Sequence, residues 1–157
     1  KTPADNRTDY IKRLIGLPGD TIQFIDSNLY INNSEVLKSR ISKNDRIYCG
    51  KKNIDVFTFE ELLSNGKKYI SVYLKDYSFQ NSDKFVVPEN HYFFLGDNRD
   101  CSKDSRFLTS VGYVHKDNLV GKARFIFFSS DKSMGSIFSF WKWHKSLRFD
   151  RFFKKIK

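Results

Sequence analysis

Short runs in which apolar and polar residues alternate restrict this chain to a β-rich fold. Residues 21–25 alternate, turn-forming residues follow at 26–28, and the apolar pattern returns at 29–31. The next two residues, Asn32 and Asn33, tolerate the positive φ that tight turns need. Because successive side chains of a strand point to opposite faces, this order predicts an antiparallel hairpin.

The middle of the chain carries a weaker signal. Residues 34–54 are polar and charged with little periodicity, and we interpret them as a loop or an irregular edge. In residues 56–74, the Thr-Phe-Glu-Glu order at 58–61 is compatible with a helix capping box. Asn65-Gly66 is instead a strong hairpin signal, and an alternating run follows it. We therefore predict strand, turn and strand.

Three further runs complete a mostly β pattern. They are residues 85–87, the apolar run 91–95 and the aromatic-rich run 122–128. The 157 residues can form one domain, or a core with a sizeable insertion. The fold class that we predict is mostly β, with antiparallel sheets.

The charge of the chain restricts its partners only to broad classes. A net charge of +10 suits nucleic acid, an anionic membrane surface or a basic surface without a specific partner. No run in the sequence approaches the roughly 18 to 20 apolar residues that span a bilayer, and no segment has the order of a signal peptide. Residues 1–7 read like the interior of a longer chain.

Residues 137–157 differ in composition from the rest of the chain. Trp141 and Trp143 stand among lysines and arginines, which is typical of a segment at a membrane interface. The alternative is a basic helix that packs Trp141 and Phe149 on the core. We favour the membrane surface.

The two cysteines, Cys49 and Cys101, leave two possibilities open. Together with three scattered histidines, they match no zinc-binding spacing. A disulfide between them is possible in an oxidising compartment, and two free thiols are about as plausible.

A lysine stands in an apolar segment at residues 9–20, Asp-Tyr-Ile-Lys-Arg-Leu-Ile-Gly-Leu-Pro-Gly-Asp. In a strand, Lys12 and Arg13 point to opposite faces, so one can enter a cleft while the other stays in water. Pro18 and Gly19 fit the central positions of a type II turn. A lysine acts as a base only when it is neutral, and burial lowers its pKa. Taken alone, such a lysine is usually a surface residue.

A second charged segment begins at Gly96 and reads Gly-Asp-Asn-Arg-Asp-Cys-Ser-Lys-Asp-Ser-Arg. Its turn-forming residues follow a buried run. Two ion pairs can form in it, Arg99 with Asp100 and Asp104 with Arg106. Surface pairs are worth at most about 1 kcal/mol, so their use would be to fix a loop that presents Ser102. Taken alone, the segment is a charged surface loop.

Together the two segments resemble two sequence boxes of the bacterial type I signal peptidases, membrane-bound serine proteases with a Ser-Lys dyad. The resemblance covers roughly residues 3–130. It implies an antiparallel catalytic core from residues 1–24 and 86–135 and a smaller β insertion at 25–85. Residues 136–157 would form the basic, aromatic C-terminal segment.

The resemblance also implies roles for individual residues. Lys12 matches the general base, and Ser102 matches the serine that hydrogen-bonds the lysine and orients it. Asp104 and Arg106 match a charged pair that supports the site. Lys103 adds a positive charge that would help to keep the lysine neutral if it lies close.

The expected substrate is a signal peptide that adds as an extra strand beside the lysine box, where Asp9 and Ile11 would face it. Shallow pockets would explain a preference for Ala-x-Ala. The expected function is removal of signal peptides at the outer face of the cytoplasmic membrane. The partners would be exported preproteins and the lipid surface. No nucleic acid, metal or cofactor is expected.

The nucleophile is the point at which the sequence departs from the family. The family serine lies in a Ser-x-Ser-Met-x-Pro-like box before the lysine box, but none of the eleven residues before Lys12 form it. We therefore expect the 157 residues to be inactive on their own. A nucleophilic Cys101 is a less favoured alternative.

Two other function classes are compatible with parts of the sequence. A basic, aromatic, β-rich chain can bind single-stranded nucleic acid. A self-cleaving repressor-type protease also uses a Ser-Lys pair, although no Ala-Gly-type cleavage site is present for it. Neither alternative explains the two boxes as well.

Overall fold

Strands dominate the part of the chain that the structure, a computed structural model, describes: residues 1–50, 52–76, 80–127, 129 and 148–156. These strands are β1 Arg13–Gly16, β2 Thr21–Ile25, β3 Asn28–Ile31, β4 Ser34–Glu35, β5 Leu37–Cys49, β6 Lys52–Leu62, β7 Lys68–Leu74, β8 Phe85–Val86, β9 His91–Leu95, β10 Val114–His115, β11 Phe125–Ile126 and β12 Lys154–Lys155. Short 3₁₀-helices span Lys116–Asn118 and Phe149–Arg151. The strands pair antiparallel throughout this part, which confirms the predicted fold class.

The contacts divide the chain into two units, Lys1–Val120 and Gly121–Lys157. The first unit holds three sheets, with strand orders β1-β9-β10, β4-β3-β2-β8 and β5-β6-β7. The second unit contains the pair β11 and β12, in which Phe125 lies opposite Lys155 and Ile126 opposite Lys154.

The core of the first unit is a cluster of apolar side chains from several strands. Burial of each such side chain stabilises the fold by about 1.5 to 3 kcal/mol. Its buried members are Ile15, Ile22, Phe24, Leu29, Val36, Tyr69, Phe85, Val87, Phe93 and Leu95. Leu29, Val36 and Tyr69 come from the range that we assigned to an insertion. The division into a core at 1–24 and 86–135 and an insertion at 25–85 stays a prediction.

The two predicted hairpins are confirmed. β2 pairs with β3 in the register Ile22 to Ile31, and Asn32 and Asn33 have the positive φ that the turn chemistry predicted. β6 pairs with β7 across a turn in which Gly66 has a φ of +75°. The helix alternative for residues 58–61 is wrong, because they lie within β6.

Of the two alternatives for residues 34–54, the loop is wrong and the irregular edge is confirmed, because β5 is the edge strand of the β5-β6-β7 sheet and its register is irregular. Most of this range forms β4, β5 and the start of β6, and β5 and β6 make a long antiparallel ribbon. Exposed residues such as Arg40, Arg46 and Tyr48 occur along β5, so burial imposes little alternation on its sequence. The register of the ribbon also shifts twice between Arg40 and Asp45, which breaks the period of two.

The described part of the C-terminal segment is short. The predicted interfacial residues Ile137 to Lys145, including both tryptophans, lie outside the described residues. The described residues contain no helix of the length and apolar character that crossing a bilayer requires.

Candidate active site

Lys12 and Ser102 meet although 90 residues separate them in the chain. The Lys12 Nζ atom donates a hydrogen bond to Ser102 Oγ over 2.7 Å. Lys12 directly precedes β1, and Ser102 lies in the loop after β9. Because β1 pairs with β9, with Arg13 opposite Leu95, the sheet brings the two sequence boxes to one place.

The surroundings favour the neutral form of Lys12. Burial lowers the pKa of its amine below the ordinary value of 10.5, against the opposing effect of the Asp104 carboxylate. The positive charge of Arg106 lowers the pKa further, and Asp97 raises it. A half-buried amine with a lowered pKa is the property that a lysine base requires.

Gly96 leaves the space that this contact occupies. A Cβ atom at position 96 would lie 2.0 Å from Ser102 Oγ and 3.5 Å from Lys12 Nζ. Real Cβ atoms do not approach other atoms so closely. Glycine is therefore a steric requirement for the Lys12–Ser102 contact.

Asp104 and Arg106 form a buried pair beside this contact. Arg106 Nε donates to Asp104 Oδ1 over 2.8 Å, and Arg106 Nη2 donates to Oδ2 over 2.9 Å. Asp104 also accepts the Gly96 N–H at 3.0 Å, and Arg106 Nη2 donates to the Arg99 carbonyl oxygen. The expectation of a surface pair is wrong, because the exposed fractions of the two side chains are only 0% and 4%.

Arg99 pairs with a residue far away in the sequence. Its Nη2 atom donates to Glu61 Oε2 over 2.7 Å, and both side chains are 1% exposed. The hydroxyl groups of Tyr69 and Tyr73 accept further hydrogen bonds from Arg99. Asp100, the partner that the sequence suggested, accepts the Leu74 N–H instead.

Arg13 points away from the Lys12 contact, as the strand alternation predicted. It makes a bidentate pair with Asp97, with distances of 2.6 and 2.9 Å. Its guanidinium also lies 4.3 Å from the centre of the Tyr69 ring. The two neighbouring cations therefore differ in chemistry: the hydrogen bond that Arg13 donates to Asp97 raises the pKa of Arg13, whereas burial lowers the pKa of Lys12.

Cys49 and Cys101 form a disulfide, with their Cα atoms 5.8 Å apart. This decides between the two possibilities that the sequence left open. It also makes the alternative of a nucleophilic Cys101 wrong, because a disulfide sulfur carries no thiolate.

A family model described as "Signal peptidase, peptidase S26" matches residues 1–128. The chain belongs to this family. Signal peptidase I of Rickettsia typhi (strain ATCC VR-144 / Wilmington) is 40% identical over an alignment that covers 99% of this chain and 62% of that protein. Signal peptidase I of Rickettsia bellii (strain OSU 85-389) is also 40% identical, with 99% and 57% covered. The resemblance seen in the two boxes is thus confirmed, and the family is one of serine proteases.

The chain spans about three fifths of the length of these curated relatives. A crystal structure of a signal peptidase I from Enterococcus faecalis V583 is also similar. It is 29% identical, covers 78% of this chain and 89% of that chain, and has a TM-score of 0.42.

Asp9 and Ile11 lie just before β1, and both are exposed. The exposed fraction of Ile11 is 81%, which is high for an apolar side chain. Tyr10, between them, places its ring centre 5.5 Å from Lys12 Nζ. Their role in substrate binding stays a prediction.

Sequence reasoning missed Glu61 and the two tyrosines that surround Arg99. Glu61 is one of two adjacent glutamates in a predicted strand, and residues 58–61 also suggested a capping box, so the sequence did not distinguish the buried glutamate. Lys103, which would help to keep Lys12 neutral if it lay close, has an exposed side chain, whereas the Arg106 charge lowers the pKa of the Lys12 amine. Among the described residues, no group of three or more His, Cys, Asp or Glu side chains could hold a metal ion.

Proposed function

We propose that the protein is a serine endopeptidase that removes signal peptides and that Lys12 is its general base. The observation that carries the proposal is the 2.7 Å hydrogen bond from Lys12 Nζ to Ser102 Oγ. Burial lowers the pKa of this same Lys12 amine. Membership of the signal peptidase family favours this function over a nucleic-acid-binding domain and over a self-cleaving repressor-type protease.

In the proposed reaction, the serine hydroxyl of the family's nucleophile box attacks the peptide carbonyl. Neutral Lys12 accepts the hydroxyl proton and then donates it to the leaving amine. The acyl-enzyme that results is hydrolysed by water, with Lys12 again accepting a proton. Ser102 contributes by accepting one N–H of Lys12, which directs the lone pair of the amine.

Asp104 and Arg106 support this arrangement through a backbone hydrogen bond and through their charges. Asp104 fixes the Gly96 N–H, and Gly96 provides the space for the Ser102 hydroxyl. The two opposite charges also act on the pKa of Lys12 in opposite directions, so that together they disturb it less than either would alone.

We further propose that the substrate lies along the exposed residues before β1. Asp9 and Ile11 would then face an extended peptide with small residues at the first and third positions before the cut. Residues 9–12 lie outside the strands of the described structure, which leaves their backbone suited to pair with a peptide.

We place the reaction at the outer face of the cytoplasmic membrane, with exported preproteins as substrates. The net charge of +10 supports attraction to an anionic lipid surface. Binding of anionic vesicles by residues 137–157 would support this location, whereas tight and steeply salt-dependent binding of single-stranded DNA would favour the alternative.

The function is tested with the full-length protein and an Ala-x-Ala signal-peptide substrate. We expect Lys12→Ala to reduce kcat/KM by at least about 100-fold, because general-base catalysis is worth about 100- to 10,000-fold. The exposed Lys116→Ala is the matched control and should keep full activity. Activity that survives Lys12→Ala would remove Lys12 from the mechanism.

The second part of the test concerns the 157 residues alone. We propose that they do not cleave the same peptide, because the family's serine box does not occur before Lys12. Cleavage by this chain that Lys12→Ala abolishes would show that a different hydroxyl is the nucleophile.

A further inference from the structure

The loop that carries Ser102 is attached to the β5-β6-β7 sheet. The Val72 N–H donates to the Asp97 carbonyl oxygen over 2.8 Å, and the Arg99 N–H donates to the Val72 carbonyl oxygen over 2.9 Å. Arg99 also enters the buried cluster around Glu61 of β6. The sheet therefore holds the first half of this loop by its backbone and by a buried side chain.

The disulfide extends this attachment to the residue directly before Ser102. Cys101 is bonded to Cys49, the last residue of β5, and 52 positions separate the two cysteines. Cys49 also lies opposite Lys52 at the end of the β5–β6 ribbon. The covalent bond thus connects the end of this ribbon to the backbone next to Ser102.

The Lys12–Ser102 contact leaves little room for a displacement of Ser102. Ser102 is buried, and its hydroxyl occupies the space where a Cβ of residue 96 would stand. A displacement of about 1 Å can reduce a catalysed rate by about 100-fold. A restraint on Cys101 is therefore also a restraint on the hydroxyl that orients Lys12.

We propose that Cys49 and Cys101 are positioning residues of this peptidase, and that their disulfide holds Ser102 where it orients the lysine base. Peptidase activity then requires the oxidised form. The inference rests on the proposed function, because it assigns a role in the same reaction.

Reduction of this bond is a balanced two-electron step. A thiolate of a dithiol reductant attacks one cysteine sulfur, and the other cysteine leaves as a thiolate. The second thiol of the reductant then resolves the mixed disulfide, so two electrons and two protons pass to the protein and the reductant becomes a disulfide. Cys49 and Cys101 are both partly exposed, which gives the reductant access.

The test compares the oxidised and the dithiothreitol-reduced full-length enzyme under native conditions. We expect reduction to lower kcat by at least about tenfold with little change in KM, because the base and not the substrate is displaced. We also expect the acid limb of the pH–rate profile to move to higher pH, because a less buried Lys12 has a pKa closer to its ordinary value. Reoxidation should restore both.

The double variant Cys49→Ala, Cys101→Ala is the matched control. It should behave like the reduced enzyme and should not respond to dithiothreitol, so any effect at other thiols is detected. Amide hydrogen exchange adds a measurement that needs no activity: exchange at Val72, Gly96 and Arg99 should become faster on reduction, while the far-UV circular dichroism stays constant.

The possible results distinguish failure of the proposed function from failure of the positioning role. Oxidised enzyme without activity would overturn the proposed function, and the positioning role with it. Oxidised and reduced enzyme with equal kcat and equal pH profiles would overturn the positioning role alone. Loss of the circular dichroism signal on reduction would make the disulfide a requirement for folding and would also overturn positioning.

Discussion

Two buried ion pairs in this protein have similar geometry and different surroundings. Arg99–Glu61 joins residues 38 positions apart and lies among tyrosine hydroxyls of the β5-β6-β7 sheet. Arg106–Asp104 joins residues two positions apart and lies within electrostatic reach of Lys12. The first pair fixes where a loop is attached, and the second also affects the protonation of a candidate base.

The comparison teaches that burial of an ion pair does not by itself indicate a functional site. Breaking either pair leaves a charge without its partner in a buried place, which is strongly destabilising. Only a change at Arg106–Asp104 should also alter the pH at which Lys12 loses its proton.

Asp104→Asn should give the largest effect. Loss of the buried pair should lower the free energy of unfolding by about 3 to 5 kcal/mol, as measured by urea denaturation. Asp104 raises the pKa of Lys12 and Arg106 lowers it, so the variant should move the acid limb of kcat/KM to lower pH. An acid limb that stays in place would remove Asp104 from the electrostatics of the base.

Glu61→Gln should lower the free energy of unfolding by about 3 kcal/mol and leave the acid limb of kcat/KM unchanged. Burial alone would raise the pKa of Glu61, but the Arg99 charge and three hydroxyl donors lower it below 4.5. Its stabilising contribution is therefore present above pH 4.5 and is lost as the pH falls further. The unfolding free energy of the variant should depend less on pH in this acidic range.

Gly96→Ala should lower kcat by about 100-fold, because the methyl group would displace the Ser102 hydroxyl. The overpacking should lower the free energy of unfolding by about 1 to 3 kcal/mol. The measurement pairs single-turnover kinetics with thermal denaturation. A variant with normal kcat would show that the Lys12–Ser102 contact is not needed for the reaction.

Glu60→Gln is the control for Glu61→Gln and should have the smallest effect. Glu60 pairs with Lys68 over 2.9 Å, and the exposed fractions of the two side chains are 35% and 60%. Such exposed pairs contribute at most about 1 kcal/mol. If Glu60→Gln and Glu61→Gln lower the free energy of unfolding equally, burial of the glutamate does not determine the loss of stability.

Strands with one buried face could be predicted from the sequence, and so could the meeting of Lys12 with Ser102. β2 and β3 alternate because Ile22, Phe24 and Leu29 enter the core. The contact between Lys12 and Ser102 was expected because the two boxes resemble those of a known family, and no spacing in the chain required it.

Strand β5 and the Arg99–Glu61 pair could not be predicted, for two different physical reasons. None of the described side chains of β5 is buried, so burial does not select the residues that would reveal its period. The ion pair depends on a tertiary contact between β6 and a distant loop, and local sequence carries little information on such contacts. The Cys49–Cys101 disulfide belongs to the second kind, since only the fold brings the two sulfurs together.

The disulfide has a consequence for when the enzyme can work in a cell. A protease that is synthesised in the cytoplasm meets a reducing environment first, and the bond forms only after export. If the proposed function and the positioning role both hold, the enzyme is latent as long as Cys49 and Cys101 are reduced. Formation of the Cys49–Cys101 bond would then be the step that activates it.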